Sequence, residues 1–349
     1  MDKLNKIIIG VDMAGCPNRC KHCWLGAAPN GKMEKEDVVF VANAFRPYAN
    51  KSEIISWYRE PDFRDDYKEL WDLECQLSDE KTPHFELMSY WRMVRDKDYA
   101  EWLYSIGVRK CQLTLFGSEK TTDYYVGRKG AYSEIVKSID ILFKHGIAPR
   151  IQVFVNKDNI EELPFIEEFM DNLELESRCK EIGQEFQLFV HSGSCEGENE
   201  KLYEIIVTKE DLNRIPEKLA ALTLKHFAKE NLQQVFGKPE KDLIKELLGN
   251  KETTSIISTF PVFYVDANFN VYPNVTQPSP WWCLGNLKAD GAEQIMDNYI
   301  NNKSKAQHLI NHIPIGEMVS LCGNPDSERL FSKEEYILYI QNQFCKINC

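Results

Sequence analysis

Apolar residues in the N-terminal two thirds of the chain come in short runs, each ending at a polar or glycine position. "KIIIGVDMAG" (residues 6–15) reads as a buried strand, "SEIISWYREPDF" (52–63) as a second strand entering a polar turn, and "HFELMSYWR" (84–92) as a third. "RKCQLTLFGSE" (109–119) alternates apolar and polar positions and ends at Gly117, a fourth strand. "PRIQVFVNKDN" (149–159) and "QEFQLFVHSGS" (184–194) are the fifth and sixth. Between them the period changes. In residues 131–147, Ile135, Ile139, Leu142 and Phe143 repeat at helical spacing and Gly146 stops the run. Residues 160–174 repeat the pattern, and 208–232 predict one helix capped by Thr208.

Strands alternating with helices predict parallel βαβ units, here a partial (β/α)6 TIM-type barrel over residues 1–236. In such folds chemistry gathers at the C-terminal ends of the strands. Residues 237–254, "GKPEKDLIKELLGNKETT", are charged and marked by Gly and Pro, and read as a linker with a short helix. Beyond it, residues 255–349 form a small α+β extension, which opens with a hairpin turning at "DANFN" and continues through "WWCLGNL" into helices.

Composition narrows the function classes. The net charge of -12 and the lack of a Lys/Arg run argue against nucleic acid and anionic membrane as partners. No stretch approaches the length of a membrane span, and the first residues lack the form of a signal peptide. The expectation is a cytoplasmic protein in which the 11 cysteines stay reduced and serve as metal ligands or buried thiols.

Three of those cysteines lie within "GCPNRCKHCW" (residues 15–24), directly after the first strand. A cubane iron–sulfur cluster normally takes four thiolates. Three on one loop hold three irons and leave the fourth open, as catalytic zinc sites leave a vacant position. A zinc site from Cys16, Cys20, Cys23 and His22 is the competing reading, and with it a non-catalytic zinc or iron–sulfur binding protein.

The spacing of Cys16, Cys20 and Cys23 resembles the CxxxCxxC signature of the radical S-adenosylmethionine (radical SAM) superfamily, with His22 where that family usually has an aromatic residue. The resemblance runs through roughly residues 5 to 235. It implies a [4Fe-4S] cluster that binds S-adenosylmethionine (SAM) at its open iron, with one-electron cleavage to a 5'-deoxyadenosyl radical that takes hydrogen from a substrate. It further implies a flavodoxin or ferredoxin-type electron donor.

The family's Gly-Gly-Glu-like turn corresponds to "SWYREPDF", where Glu60-Pro61 matches and Tyr58 and Arg59 replace the glycines. Thr114 and Ser118 are candidates for the SAM ribose, and Arg128 for its carboxylate, since a guanidinium grips a carboxylate bidentately. Gln152 and Asn156 are polar positions in an apolar strand and are expected to face the pocket, and the backbone of 191–193 to approach adenine.

Residues 255–349 resemble the SPASM and twitch extensions of radical SAM enzymes, which shifts the expected substrate towards peptides, with small metabolites open. Cys283, Cys322, Cys345 and Cys349 are the right number for a second, auxiliary [4Fe-4S] cluster, yet their spacing matches no standard run. The other reading is a cluster-free cap over the barrel mouth, with Phe263, Tyr264, Trp281 and Trp282 in its core or its lining. Cys195 lies where a hydrogen-donating thiol of an epimerase would stand. A radical SAM methyl- or methylthiotransferase on RNA fits poorly with the acidic charge.

Overall fold

The computed structural model of the chain describes residues 3–23, 25, 31–56, 60, 62–84, 87–193, 197–273 and 278–349, with the backbone alone at 197–199. Tyr58, Arg59, Pro61, Cys195 and Asn274 lie outside the described residues.

The elements run β1 (Leu4–Val11), α1 (Lys35–Phe45), β2 (Ala49–Ile55), α2 (Tyr67–Leu77), α3 (Tyr90–Met93), α4 (Tyr99–Ser105), β3 (Lys110–Leu115), α5 (Glu119–Val126), α6 (Ala131–Lys144), β4 (Ala148–Phe154), α7 (Leu163–Asn172), α8 (Leu175–Glu181) and β5 (Gln187–His191). Then follow α9 (Glu217–Phe227), α10 (Leu232–Phe236), β6 (Lys238–Pro239), α11 (Glu240–Leu247), β7 (Val262–Val265), β8 (Asn270–Pro273), β9 (Gly285–Asn286), α12 (Gly291–Ile300), α13 (Lys305–His312), α14 (Ile315–Cys322), β10 (Leu330–Phe331) and α15 (Lys333–Asn348).

This is an α/β fold with parallel sheets. β3, β4 and β5 form one sheet, parallel throughout. The other has the order β2-β1-β7-β8-β9. In it β1 is parallel both to β2 and to β7, while β8 and β9 add antiparallel ribbons. A strand from the C-terminal third thus completes the sheet begun by the first strand. Leu87 makes an isolated parallel bridge to Gln112 of β3.

Strand alternation divides the interior. Cys111, Leu113, Leu115, Ile151, Val153, Leu188 and Val190 point into a core closed by α4, α6, α7 and α9. Ile7, Ile9, Val11, Ile54, Phe263 and Val265 point into a second core under α1 and α12. The opposite faces carry Ile8, Ile55 and Tyr264 on one sheet, packed with Leu25, Cys23 and Ile206. On the other sheet they carry Gln112, Thr114, Arg150, Gln152 and His191, a polar row that no simple core would bury.

Two local expectations need correction. The run 84–92 contains no strand among its described residues beyond the Leu87 bridge. Ser89 instead caps the short α3 by accepting from the Arg92 amide, and Arg92 is buried to hold the carbonyls of Asp62 and Phe63 at 2.6 and 2.7 Å. The helix expected over 208–232 is broken: Asp211 binds the amide and hydroxyl of Thr208, and Pro216, which cannot donate to a helix, sets the start of α9. The short helix expected within 237–254 is α11, whose Leu243, Ile244 and Leu247 are buried against α14 and α15. Among the described residues no helix is long and apolar enough to cross a membrane.

Candidate active site

β1 delivers the cysteine loop to the C-terminal edge of its sheet. Gly15, with φ 76°, turns the chain out of the strand in the left-handed region that glycine enters without strain. The loop is then stapled to the end of α5: the Arg19 amide donates to Val126 O at 3.0 Å and the Lys21 amide to Tyr125 O at 2.8 Å. Gly127 (φ 70°) permits this approach, since a Cβ there would stand 2.5 Å from the Arg19 carbonyl oxygen.

Cys16, Cys20 and Cys23 are partly buried thiols that influence one another electrostatically. Burial pushes the Cys16 thiol up to about 12, with the Glu60 carboxylate adding to it. Burial, and then Cys16 and Cys23, raise Cys20 well above the ordinary thiol value. Two thiols that resist ionisation on their own, with Cys23 beside them on the same loop, are suited to a cation that compensates their thiolates together, because metal binding removes the protons. The Asn18 amide points at Cys16 Sγ from 3.5 Å, a contact that would continue to a bound sulfur. Among the described residues no group of three or more His, Cys, Asp or Glu side chains closes on a single ion. A cubane, by contrast, spreads its ligands over separate irons.

Glu60 sits below this loop, its amide donating to Gly15 O at 3.2 Å. Its Oε2 accepts from Asn18 Nδ2 at 3.0 Å and lies 3.8 Å from Cys16 Sγ. Among the described residues its Oε1 is buried and takes no hydrogen bond. Burial holds the carboxyl up at about 7, against the lowering pull of Ser89, Arg128 and the Trp91 backbone. A buried carboxylate beside the thiols, one oxygen of which no described group holds at full hydrogen-bond geometry, is where an ammonium group of a cofactor fits.

Arg128 does not reach out as expected. Its Nε donates to Asn18 Oδ1 at 2.8 Å and its Nη2 to Glu134 at 2.6 Å. Asn18 also donates to the Tyr90 hydroxyl at 3.0 Å. The result is a chain of contacts, Glu134–Arg128–Asn18–Glu60, that fixes the carboxylate from outside. Ser118 is likewise occupied: its amide, with the Thr121 hydroxyl, binds Glu162 at the start of α5.

His22 turns inward. Its ring lies 4.9 Å from Phe116 and 4.3 Å from Phe154, and Phe116 stacks on both Phe154 and Tyr125. Burial, with His191 nearby, keeps His22 neutral, down at about 3. The imidazole therefore does the packing work of an aromatic side chain. Beside it a cavity of about 300 Å³ is lined by Phe116, Phe154, Asn156, Ser192 and Gly193. Asn156 accepts there from the Tyr125 hydroxyl at 3.2 Å. Asn159 ties the two strand ends together, donating at 2.7 Å to both Phe116 O and Phe154 O. On the polar row, Gln152 Oε1 accepts from Gln112 and from Thr114 Oγ1 (3.1 Å), while Nε2 meets His191 Nε2 at 2.6 Å.

The structure thus brings together Cys16, Cys20, Cys23, His22, Glu60 and Asn156 at one mouth, with Thr114 and Gln152 on the adjoining sheet face. Ser118 and Arg128 flank it, bonded elsewhere. Sequence reasoning missed Asn18, Tyr90, Phe116, Phe154 and Glu134. Of these only Asn18, between two of the cysteines, carried a signal. A larger cavity, about 450 Å³, lies at the open edge of β2 and touches none of the cysteine loop. Its polar groups are spent on one another: Ser56 and Lys81 on Glu74, and His84 on Asp62.

In the C-terminal third, Cys322, Cys345 and Cys349 influence one another, while Cys283 donates to Gly285 O at 3.6 Å beside Asp266. Trp282 is buried and bonds Asn342 through its Nε1 at 3.2 Å, and Phe263 is core.

A family model described as "Radical SAM superfamily" matches residues 11–170. No curated protein matches the sequence. The fold is similar to native anSMEcpe with bound AdoMet, at a TM-score of 0.52 and 14% identity over 98% of each chain. It is equally similar to that protein with AdoMet and the Kp18Cys peptide, again 0.52, 14% and 98% of each chain. Likeness to Streptococcus suis SuiB bound to precursor peptide SuiA is weaker: 0.45, 14%, 79% of this chain and 60% of that one.

Proposed function

Starting from the membership of this chain in the radical SAM superfamily through residues 11–170, we propose that it cleaves SAM reductively and abstracts hydrogen from a peptide substrate. Enzymes of this superfamily work with a [4Fe-4S] cluster and SAM, which when bound supply the radical chemistry; the protein supplies position and shelter.

In this reading the two parallel sheets are the walls of a partial barrel whose lumen carries the polar row. Cys16, Cys20 and Cys23 hold the cluster. Glu60 receives the ammonium of SAM on Oε1. Arg128 is a positioning residue, acting through Asn18 rather than on the SAM carboxylate. Thr114 and Gln152 face the ribose, and the His22–Phe116–Phe154 sleeve with Asn156 receives the adenine. Tyr264, Ile55, Leu25 and Ile206 pack the remaining lumen and keep water from the reactive centre.

A peptide substrate is supported by the fold's likeness to anSMEcpe, solved with a peptide. The segment 255–349, joined to the barrel through β7, is read as its cap.

The observation that carries the proposal is the conjunction of three mutually interacting thiols with the open carboxylate oxygen of Glu60. The test is iron and sulfide content in anaerobic protein together with dithionite-driven SAM cleavage. About four irons per chain and release of 5'-deoxyadenosine are expected. Cys16→Ala, Cys20→Ala and Cys23→Ala should each lose both, and full activity in any one of them sinks the assignment. Zinc with no cleavage would replace it with the non-catalytic reading.

A further inference from the structure

The surface over the cysteine loop contrasts with the rest of this acidic chain. Between Asp12 and Glu34 the sequence has no carboxylate, and the loop itself contributes Arg19 and Lys21, both exposed. Stapling of the loop to α5 brings Lys21 Nζ to 4.3 Å from the centre of the Tyr124 ring, which is 60% exposed. Lys129, exposed, adjoins Arg128, which reaches back to Asn18. Among the described residues Arg19, Lys21 and Lys129 enter no ion pair. Three carboxylates lie nearby, of which Asp158 is exposed and accepts from the Tyr125 hydroxyl at 3.4 Å. Asp123 is turned inward onto the amides of Gly130 and Tyr132, and Glu134 is shared by Arg95 and Arg128. The face keeps an excess of positive charge around an exposed aromatic ring. Cys20 lies between its two loop cations and packs beneath on Tyr125 and Val126.

We propose that Arg19, Lys21, Tyr124 and Lys129 form the docking face for an acidic one-electron carrier protein. This rests on the radical SAM reading above. The carrier is oxidised by one electron, and that electron is the one consumed when the carbon–sulfur bond of SAM breaks to methionine and the 5'-deoxyadenosyl radical. A positive patch on a negative chain orients an acidic partner on that patch and repels it elsewhere, which accelerates encounter and fixes the register over the ligands.

The probe is an acidic flavodoxin, read out as its affinity by titration and as 5'-deoxyadenosine formed under its reduced form. Lys21→Glu combined with Lys129→Glu should lower both by roughly tenfold or more at low salt. The gap should shrink as salt shortens the screening length. The milder Lys21→Gln, Lys129→Gln pair should fall between. Dithionite-driven cleavage should be unchanged in all of them. The matched charge change Lys144→Glu with Lys180→Glu, at the ends of α6 and α8 that lead into β4 and β5, should keep wild-type affinity. A double variant indistinguishable from wild type, or an equal loss in the matched control, overturns the docking face alone. Wild-type protein that dithionite cannot drive overturns the radical SAM reading and the docking face with it.

Discussion

At the scale of the residue, Glu60 and its supports make the sharpest demands. Glu60→Gln keeps the shape and the Asn18 contact but removes the charge. SAM affinity should fall by the worth of a charged hydrogen bond, about 1.5–3 kcal/mol, measured by titration calorimetry on the cluster-loaded protein. Arg128→Lys, if Arg128 acts through Asn18, should weaken binding less than Glu60→Gln and leave iron content intact; a loss as large would return it to the SAM carboxylate. His191 offers a pH test. Burial lowers its pKa to about 4, the nearby His226 reinforcing this and the Ser192 backbone opposing it. The unfolded chain would bind that proton near the ordinary value of about 6.5. Between these pH values the unfolded state holds more protons, so this group's contribution is full above about 6.5 and is lost as pH falls towards 4. Chemical denaturation of wild type and His191→Gln should show midpoints that converge at low pH; parallel curves would remove His191 from the account.

At the scale of the element, the loop, α5 and α6 act as one clamp. Gly127→Ala places a methyl against the Arg19 carbonyl at a left-handed backbone position. It should cost about 1–3 kcal/mol and impair cluster uptake more than Tyr124→Ala, an exposed side chain; iron content after reconstitution decides it. Elements were also where sequence reading succeeded and failed for identifiable reasons. β3 to β5 were legible because alternate residues enter one core, so the period of two survives in the letters; β1 and β2 were legible because both of their faces are packed, which leaves short apolar runs. The run at 84–92 looked like a strand because Leu87, Met88, Tyr90 and Trp91 are apolar. Ser89, its cap, and Arg92, a buried tie to Asp62, overrule that pattern through contacts reaching back some 30 residues. Pro216 was a visible helix breaker that outweighed the apolar periodicity on either side. The cysteines were legible because their ligand set lies on one loop. Asn18 with Tyr90 and Arg128 was not, since those partners are 72 and 110 residues away and no local period encodes them.

At the scale of the whole molecule, the sheet order ties both ends of the sequence together. Leu243→Ala in α11 empties a core site shared with α14 and α15, and should cost about 2–5 kcal/mol in a denaturant titration. Because that core also takes in Ile55, Leu25 and Tyr264, the loss should slow substrate turnover as well as lower stability. A variant that is destabilised yet turns over normally would show the two ends to be energetically separate.

The parallel pairing of β1 with β7 also sets an order of events at the ribosome. Residues 262–265 emerge roughly 250 residues after the strand they complete. At the usual pace of synthesis that delay is on the order of 10–50 s. Throughout it one edge of the first strand stays unpaired and the three thiols just beyond it stay open to oxygen and stray metals. Assembly of the centre is then a late step by construction, and the cell must either keep that nascent segment occupied or load the finished chain.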